Sequence, residues 1–358
     1  MLAYWLILFI PWIASLRRAK FNGENQLKHS WGLSFQVYFV LILLLIGLRH
    51  QTGGDWVNYL PLIDVALEHS FWEYIEQSGD KAYYILTWLS ARSGFSIYGV
   101  NFICGLVFSY GLIVFSLHSP QPWLSLAVAV PYLVIVVAMG YTRQGVAIGL
   151  IMLGLVDLEK GHLTKFLFWV ILAALFHKTA LILIPMAIFA GRTSWMSIVS
   201  IALTAVFFFF ILLAEHVDSL VSGYITDQYS SSGASIRIAM NALPAFVFII
   251  FRKRFNLTGA QSVFWIWMSL SALIFIGLLF VSPSSTAVDR MALYWIPLQL
   301  YVWSRFPAAM AQNYKAQLPW VIGVLIYSFA VQFVWLFYAD NRMGWLPYQF
   351  LPWVWLWE

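Results

Sequence analysis

Residues 123–158 read WLSLAVAVPYLVIVVAMGYTRQGVAIGLIMLGLVDL, thirty-six residues whose apolar character is broken only at Met139-Gly140-Tyr141-Thr142-Arg143. A single helix of that length would extend about 54 Å. A bilayer core is about 30 Å thick, so the run has to fold back on itself. Gly140 supplies the turn and Thr142 a helix cap, which sets Arg143 and Gln144 on the first turn of a returning helix.

The same reading extends along the whole chain. Of its 358 residues 62% are hydrophobic, 18% are aromatic and 10% are charged, far more apolar surface than a water-soluble core needs. Long apolar runs recur from end to end, so the fold class is an all-α polytopic integral membrane protein in one domain, residues 1–358. The net charge of +5 follows from basic residues in membrane-flanking loops and calls for no nucleic-acid partner. The single cysteine, Cys104, lies in an apolar run and has no intrachain partner for a disulfide. Residues 1–16 have no basic stretch before the apolar run and no small-residue cleavage site, and read as a retained helix.

About twelve membrane helices are expected, near 2–16, 31–48, 96–117, 123–139, 141–158, 165–176, 178–190, 197–214, 238–251, 262–281, 291–303 and 319–338. A long external loop spans about 49–95 and a second, Ser/Gly-rich one spans about 215–237. Within the first, residues 80–92 (DKAYYILTWLSAR) are too short to span and suit an amphipathic interfacial helix. The aromatic tail after Arg342, WLPYQFLPWVWLWE, suits an interfacial belt.

With residues 17–30 cytoplasmic, this layout puts 12 Lys and Arg inside and 8 outside, in keeping with the positive-inside rule. The eight are Arg49, Lys81, Arg92, Arg143, Lys178, Arg237, Arg290 and Arg342. Merging the two short helices around His177-Lys178 would reverse every later segment, so two helices are preferred, with that pair external. Of the 15 acids only Glu24, Asp157 and Glu159 fall inside. Carboxylates contribute little to orientation, so the bias marks the external face as the place where polar chemistry is concentrated.

The polar chemistry sits in short turns. RHQTGGDWVNY (49–59) follows an apolar run, and Gly53-Gly54 displays Arg49 and Asp55 on an irregular turn. Tyr141-Arg143-Gln144, His177-Lys178 and Asp289-Arg290, the last opening a helix, complete the set. The planar fork of an arginine donates two parallel hydrogen bonds and keeps its charge, which suits a phosphate or pyrophosphate. Arg49, Arg143, Lys178 and Arg290, each beside a polar residue, are therefore candidate pyrophosphate binders, with Gln144 beside them and Arg237 as an outlying member of the cation set. Any one of them alone would read as a side chain snorkelling from a helix end. Asp55, His177, Asp289 and the acids of the first external loop are the candidate bases. Tyr59, Tyr141 and Tyr294 could stack on sugar rings. No paired-acid, HExxH or Cys-pair metal motif and no phosphate-binding Gly loop occurs, so neither a metal nor a nucleotide cofactor is expected.

The segments LRHQTGGDWVNY, AMGYTRQGVAIGL, LFHKTALILIPMAI and SSTAVDRMALYWIP, from about Leu43 to Pro297, resemble in order and spacing the EpsG family, the Wzy-like polysaccharide polymerases. Where the resemblance leads one to expect Glu before an aromatic, at the start of the first interfacial helix, this chain has Asp80-Lys81-Ala82-Tyr83. The resemblance implies a GT-C-like all-helical enzyme of the bacterial inner membrane. Such an enzyme joins polyprenyl-pyrophosphate-linked oligosaccharides on the periplasmic face. A chain-length-regulating co-polymerase in the same membrane is an implied partner. A lipid-linked glycan transporter, a glycan ligase using the same donor and a non-catalytic membrane scaffold are the competing readings. A transporter would carry its polar groups near the bilayer midplane on repeated, broken helices, and no internal repeat is found.

Overall fold

A computed structural model of the chain describes residues 1–17, 31–77, 80–186 and 233–356. Its first helices are α1 (Leu2–Leu16) and α2 (Leu33–Gly47), followed by a short strand β1 (Arg49–His50). Then come α3 (Trp56–Glu68), α4 (Phe71–Glu76), α5 (Lys81–Arg92) and α6 (Ser96–Leu117). The hairpin predicted at Gly140 is present as α7 (Pro122–Ala129), running on as a π-helix over Val130–Ala138, and the returning α8 (Thr142–Glu159). After it come α9 (Leu163–Phe176), α10 (Ala234–Phe251), α11 (Gly259–Val281), α12 (Ser285–Ala292), α13 (Ile296–Met310) and α14 (Tyr314–Tyr338). The strand β2 (Gln349–Phe350) pairs antiparallel with β1, Arg49 opposite Phe350 and His50 opposite Gln349.

The protein is an all-α membrane protein. Four described helices are long and apolar enough to cross a bilayer: Ser96–Leu117, Ala234–Phe255, Gln261–Val281 and Lys315–Tyr338. Four more are apolar but shorter: Leu2–Leu16, Leu33–Gly47, Pro122–Ala138 and Leu163–Phe176. At the centre stands α8, buried at every residue from Gln144 to Val156 and flanked by α6 and α9. A helix apolar on all sides is one enclosed by neighbours, and α8 fits that description.

Several expectations are adjusted. The segment after β1 is not an extended loop around one helix. It folds as α3, α4 and α5, which pack through Tyr59, Ile63, Tyr74 and Tyr83 onto Val100 and Cys104 of α6. The helix expected at 291–303 is displaced because Ser284 caps α12, accepting from the Ala287 N–H at 3.3 Å, and Pro297 suits the first turn of α13. Asp289-Arg290 therefore lies within α12 instead of opening a helix. The helix expected at 178–190 begins as 3-10 turns over Lys178–Leu183. The helix expected at 197–214 and most of the loop expected at 215–237 lie outside the described residues. In the C-terminal tail, Trp353 and Trp355 are exposed as a belt requires, but Trp345 is buried in the core.

The helix ends sort into two groups. Near Arg49 the C-terminal ends of α2, α9 and α14 meet the N-terminal ends of α8 and α10. At the far end Glu159 holds Trp265 (3.1 Å) and Arg305 donates to the His118 carbonyl (3.1 Å). The first end carries the turns singled out from the sequence.

Candidate functional site

The turn after β1 is fastened before it displays anything. Gly53 has φ +117°, and a Cβ there would overlap the Met139 carbonyl oxygen, so only glycine fits. The Gly53 N–H donates to the Gly344 carbonyl (2.7 Å) and the Asp55 N–H donates to the Gly140 carbonyl (3.0 Å). The Trp345 ring lies against Gly54 and Gly140 where a Cβ would collide with it. Its indole N–H donates to the Ile135 carbonyl (2.8 Å), and its own carbonyl accepts from the Tyr4 hydroxyl (2.7 Å). Ile135 lies in the π-helical stretch, which begins at Val130 beside Pro131, a residue with no N–H for the helical ladder. The C-terminal segment thus ties the 53–55 turn to the 139–142 corner.

Arg49 is not displayed on that turn. It is 1% exposed, and its guanidinium donates to the carbonyls of Ile46 and Thr52 and, at 2.8 Å each, to Asn101 Oδ1 and Thr142 Oγ1. Thr142, expected as a helix cap, spends its hydroxyl oxygen on Arg49 and caps nothing. Burial lowers the Arg49 pKa to about 10, which still leaves it charged at neutral pH. It is a tie between α2, α6 and α8.

Asp80, which the sequence offered only as one of the acids of the first external loop, is the hub of the site. It stands at the N-cap of α5 yet makes no capping bond with its own helix. Its carboxylate is 4% exposed and turned to three neighbours. Oδ2 accepts from Arg143 Nη1 at 2.9 Å, and Oδ1 accepts from the Lys178 backbone N–H at 3.1 Å. His177 Nδ1 lies 3.7 Å from Oδ2, an ion-pair distance too long for a hydrogen bond. Burial by itself would raise the Asp80 pKa, but the His177 ring, the Arg143 charge and the Lys178 N–H together hold it below the ordinary carboxylate range. Arg143 also lies over the rings of Tyr59 and Tyr83, 5.6 Å and 5.7 Å from their centroids. Burial and the neighbouring Asp55 push the Tyr59 hydroxyl up to about 12, so it stays protonated and donates to Asp55 Oδ2 at 3.2 Å.

On the opposite wall Arg290 stacks on Tyr141 with its guanidinium 3.8 Å from the ring centroid. Among the described residues that guanidinium has no hydrogen-bond or ion-pair partner. Gln144 donates from Nε2 to the Arg290 carbonyl (2.6 Å), which fixes α12 against α8. The Gln144 Oε1 and His177 Nδ1 atoms are buried without a hydrogen bond among the described residues. The His177 Nδ1 atom faces the Asp80 carboxylate, whereas the Gln144 acceptor is one that a ligand or water would satisfy. Asp289 is held by a two-pronged ion pair with Arg237, both contacts at 2.7 Å. Tyr294 is fully buried, with its hydroxyl 3.2 Å from that of Thr179.

These groups surround a cleft of about 420 Å³. Of the residues singled out from the sequence, Asp55, Tyr59, Tyr141, Arg143, Gln144, His177 and Arg290 line it, together with Asn58, Leu62, Tyr84 and Thr286. Arg49, Lys178, Asp289 and Tyr294 do not line it. The sequence reading did not place Trp345 in the site, offered Asp80 only among the acids of the first external loop, and offered Arg237 only as an outlying member of the cation set. For Asp80 a signal existed: an acid heading an amphipathic helix at the position where the family resemblance expects one. For Trp345 nothing in a Trp-rich tail marks one ring as the core plug.

A family model matches residues 33–350, a span from α2 through β2 that includes every turn of this cleft, while no curated protein and no solved structure gives a match. With its fold all-helical and its apolar helices of membrane-crossing length, the chain belongs to the EpsG family.

Proposed function

We propose that this protein polymerises polyprenyl-pyrophosphate-linked oligosaccharide units into a surface polysaccharide, with the cleft on the periplasmic face of a bacterial inner membrane. EpsG membership makes it a membrane protein of polysaccharide-polymerase type. The donor, the face, a GT-C-like architecture of about twelve spans and the residue roles below are our reading of the chain. The observation that carries it is Arg290, a guanidinium that lines the cleft without a protein hydrogen-bond partner among the described residues, facing a wall that also holds Arg143 and His177.

The growing glycan on its carrier is the donor, and a single lipid-linked unit is the acceptor. The acceptor hydroxyl attacks the anomeric carbon, and the bond from that carbon to the pyrophosphate oxygen breaks. Charge gathers on the leaving pyrophosphate as it departs, and Arg290 and Arg143 neutralise it. The acceptor's proton passes to His177, whose ring Asp80 orients from the Nδ1 side. Gln144 Oε1 accepts from a sugar hydroxyl, and Asp55 keeps Tyr59 in place beside Arg143. Arg49 and Asp289, first considered as ligand and base, become positioning residues. Arg49 ties the turns together, and Asp289 anchors α10 through Arg237.

Arg143→Ala and Arg290→Ala, produced in a strain lacking this protein, test the reading. Loss of one charge donor at the leaving group costs about 10²–10³ in rate. Both variants are expected to leave single repeat units in place of a polymer ladder. Normal ladders from both, at wild-type protein levels, would contradict the assignment.

A further inference from the structure

A second and larger cavity, about 900 Å³, lies between α10 and α14 and meets the polar cleft at Tyr141 and Thr286, which line both. Its walls are small or apolar: Ala239 and Leu243 on α10, and Ala330, Val331 and Val334 on α14. Both helices are among the four long enough to cross a bilayer, and Leu243 and Val334 remain 46% and 44% exposed, so the groove opens on a membrane-facing side. At its polar end Arg237, already paired with Asp289, and Asp340 line it, and the Arg290 guanidinium lies over the shared Tyr141 ring at 3.8 Å. A ligand that fits has an anionic head at one end and a single long apolar chain at the other.

We infer that this groove seats the isoprenoid chain of the polyprenyl pyrophosphate, with the pyrophosphate in the adjoining cleft. The inference rests on the reading of that cleft as a pyrophosphate site. Along α14 the groove runs from Tyr327 to Tyr338, roughly 17 Å of helix at 1.5 Å per residue, and it holds the head-proximal part of a longer chain. Its volume lies within the range of about 300–1,000 Å³ usual for small-molecule sites, room for one chain in single file. Transfer from lipid to groove is apolar to apolar, so the groove contributes position more than hydrophobic free energy. Holding the chain along α10 and α14 fixes the distance and angle at which the pyrophosphate meets Arg290.

The test is photocrosslinking of the full-length protein in nanodiscs, using a polyprenyl pyrophosphate with a diazirine on an isoprene unit near the head. Adducts are expected in the peptides that carry Ala239–Leu243 and Ala330–Val334. Unlabelled polyprenyl pyrophosphate should compete them away, and either Ala330→Trp or Ala239→Trp, on opposite walls, should abolish them. Leu270→Trp, on an exposed face of α11, should leave them unchanged. Adducts spread over exposed α11 positions such as Ile274 and Phe280, or equal competition by phosphatidylglycerol, would overturn the assignment. Groove adducts together with normal ladders from Arg290→Ala would uphold the lipid site and refute the pyrophosphate reading of the cleft. Scattered adducts with lost ladders would do the reverse.

Discussion

Asp80→Asn is the most informative single change, because it removes one charge and almost no volume from the hub of the site. At 2.9 Å from Arg143 Nη1, the carboxylate would gain about 6 kcal/mol at an effective dielectric of 20. Arg143 keeps 33% side-chain exposure, so solvent screening reduces this to about 2 kcal/mol, the scale of a charge-assisted hydrogen bond. The asparagine can still accept from the Lys178 N–H, so the fold should survive with thermal stability lowered by that amount. The catalytic loss should be larger. Without its anchor Arg143 moves off the leaving group and His177 loses its orienting charge, and a displacement near 1 Å costs about 10²-fold in rate. The assay is polymer formation by purified protein, together with ladders in a strain lacking it, at matched protein levels. In the Asp80→Asn/Arg143→Ala double variant the losses should fall short of additive, since both changes break one contact. Wild-type rate and wild-type thermal stability for Asp80→Asn would refute the assignment of Asp80 as the hub. A rate that falls only in step with the amount of folded protein would reduce it to a structural residue.

Other expectations follow from the same contacts. Gly53→Ala forces a side chain into a left-handed backbone and against the Met139 carbonyl, so a loss of about 1–3 kcal/mol in thermal unfolding is expected, with activity falling as the 53–55 turn shifts. Trp345→Ala empties a 1%-exposed site between Gly54 and Gly140, at a cost of about 3–5 kcal/mol, and should lower polymerisation although the residue lies outside the cleft; full activity would separate the tail from the site. For pH, the folded Asp80 pKa lies below its unfolded value. Its stabilisation is therefore complete above about pH 4 and fades as pH falls through the lower folded value. Thermal melts of wild type and Asp80→Asn should accordingly converge on acidification below about pH 4, and a constant gap would contradict the pair.

How much of this was legible depends on the range of the interaction. The hairpin at Gly140 followed from length alone, since thirty-six apolar residues outrun a bilayer. The cations of the cleft followed from polar residues at helix ends, and Arg143 and Arg290 do line it. Exposure did not follow. Arg49 and Arg290 look alike as residues flanking apolar runs, yet one is sealed by four acceptors, from three helices and its own turn, and the other faces the cleft. Asp289 likewise looked like a base until Arg237, 52 positions away, closed on it. Asp80 was visible as an acid but not as a hub, because its partners sit 63 and 98 positions along the chain. The 3.6-residue period reports which face of a helix is apolar and says nothing about which distant side chain meets it.

The central claim is that glycosidic bonds form in this cleft, and purified protein given a single lipid-linked repeat unit tests it most directly. The account predicts a ladder of lengthening glycans with release of one polyprenyl pyrophosphate per bond formed, both strongly reduced in Arg290→Ala. Movement of the unit across a vesicle bilayer with no bond formed would contradict it and favour a transporter. Transfer of the glycan only to an unrelated acceptor would contradict it in favour of a ligase.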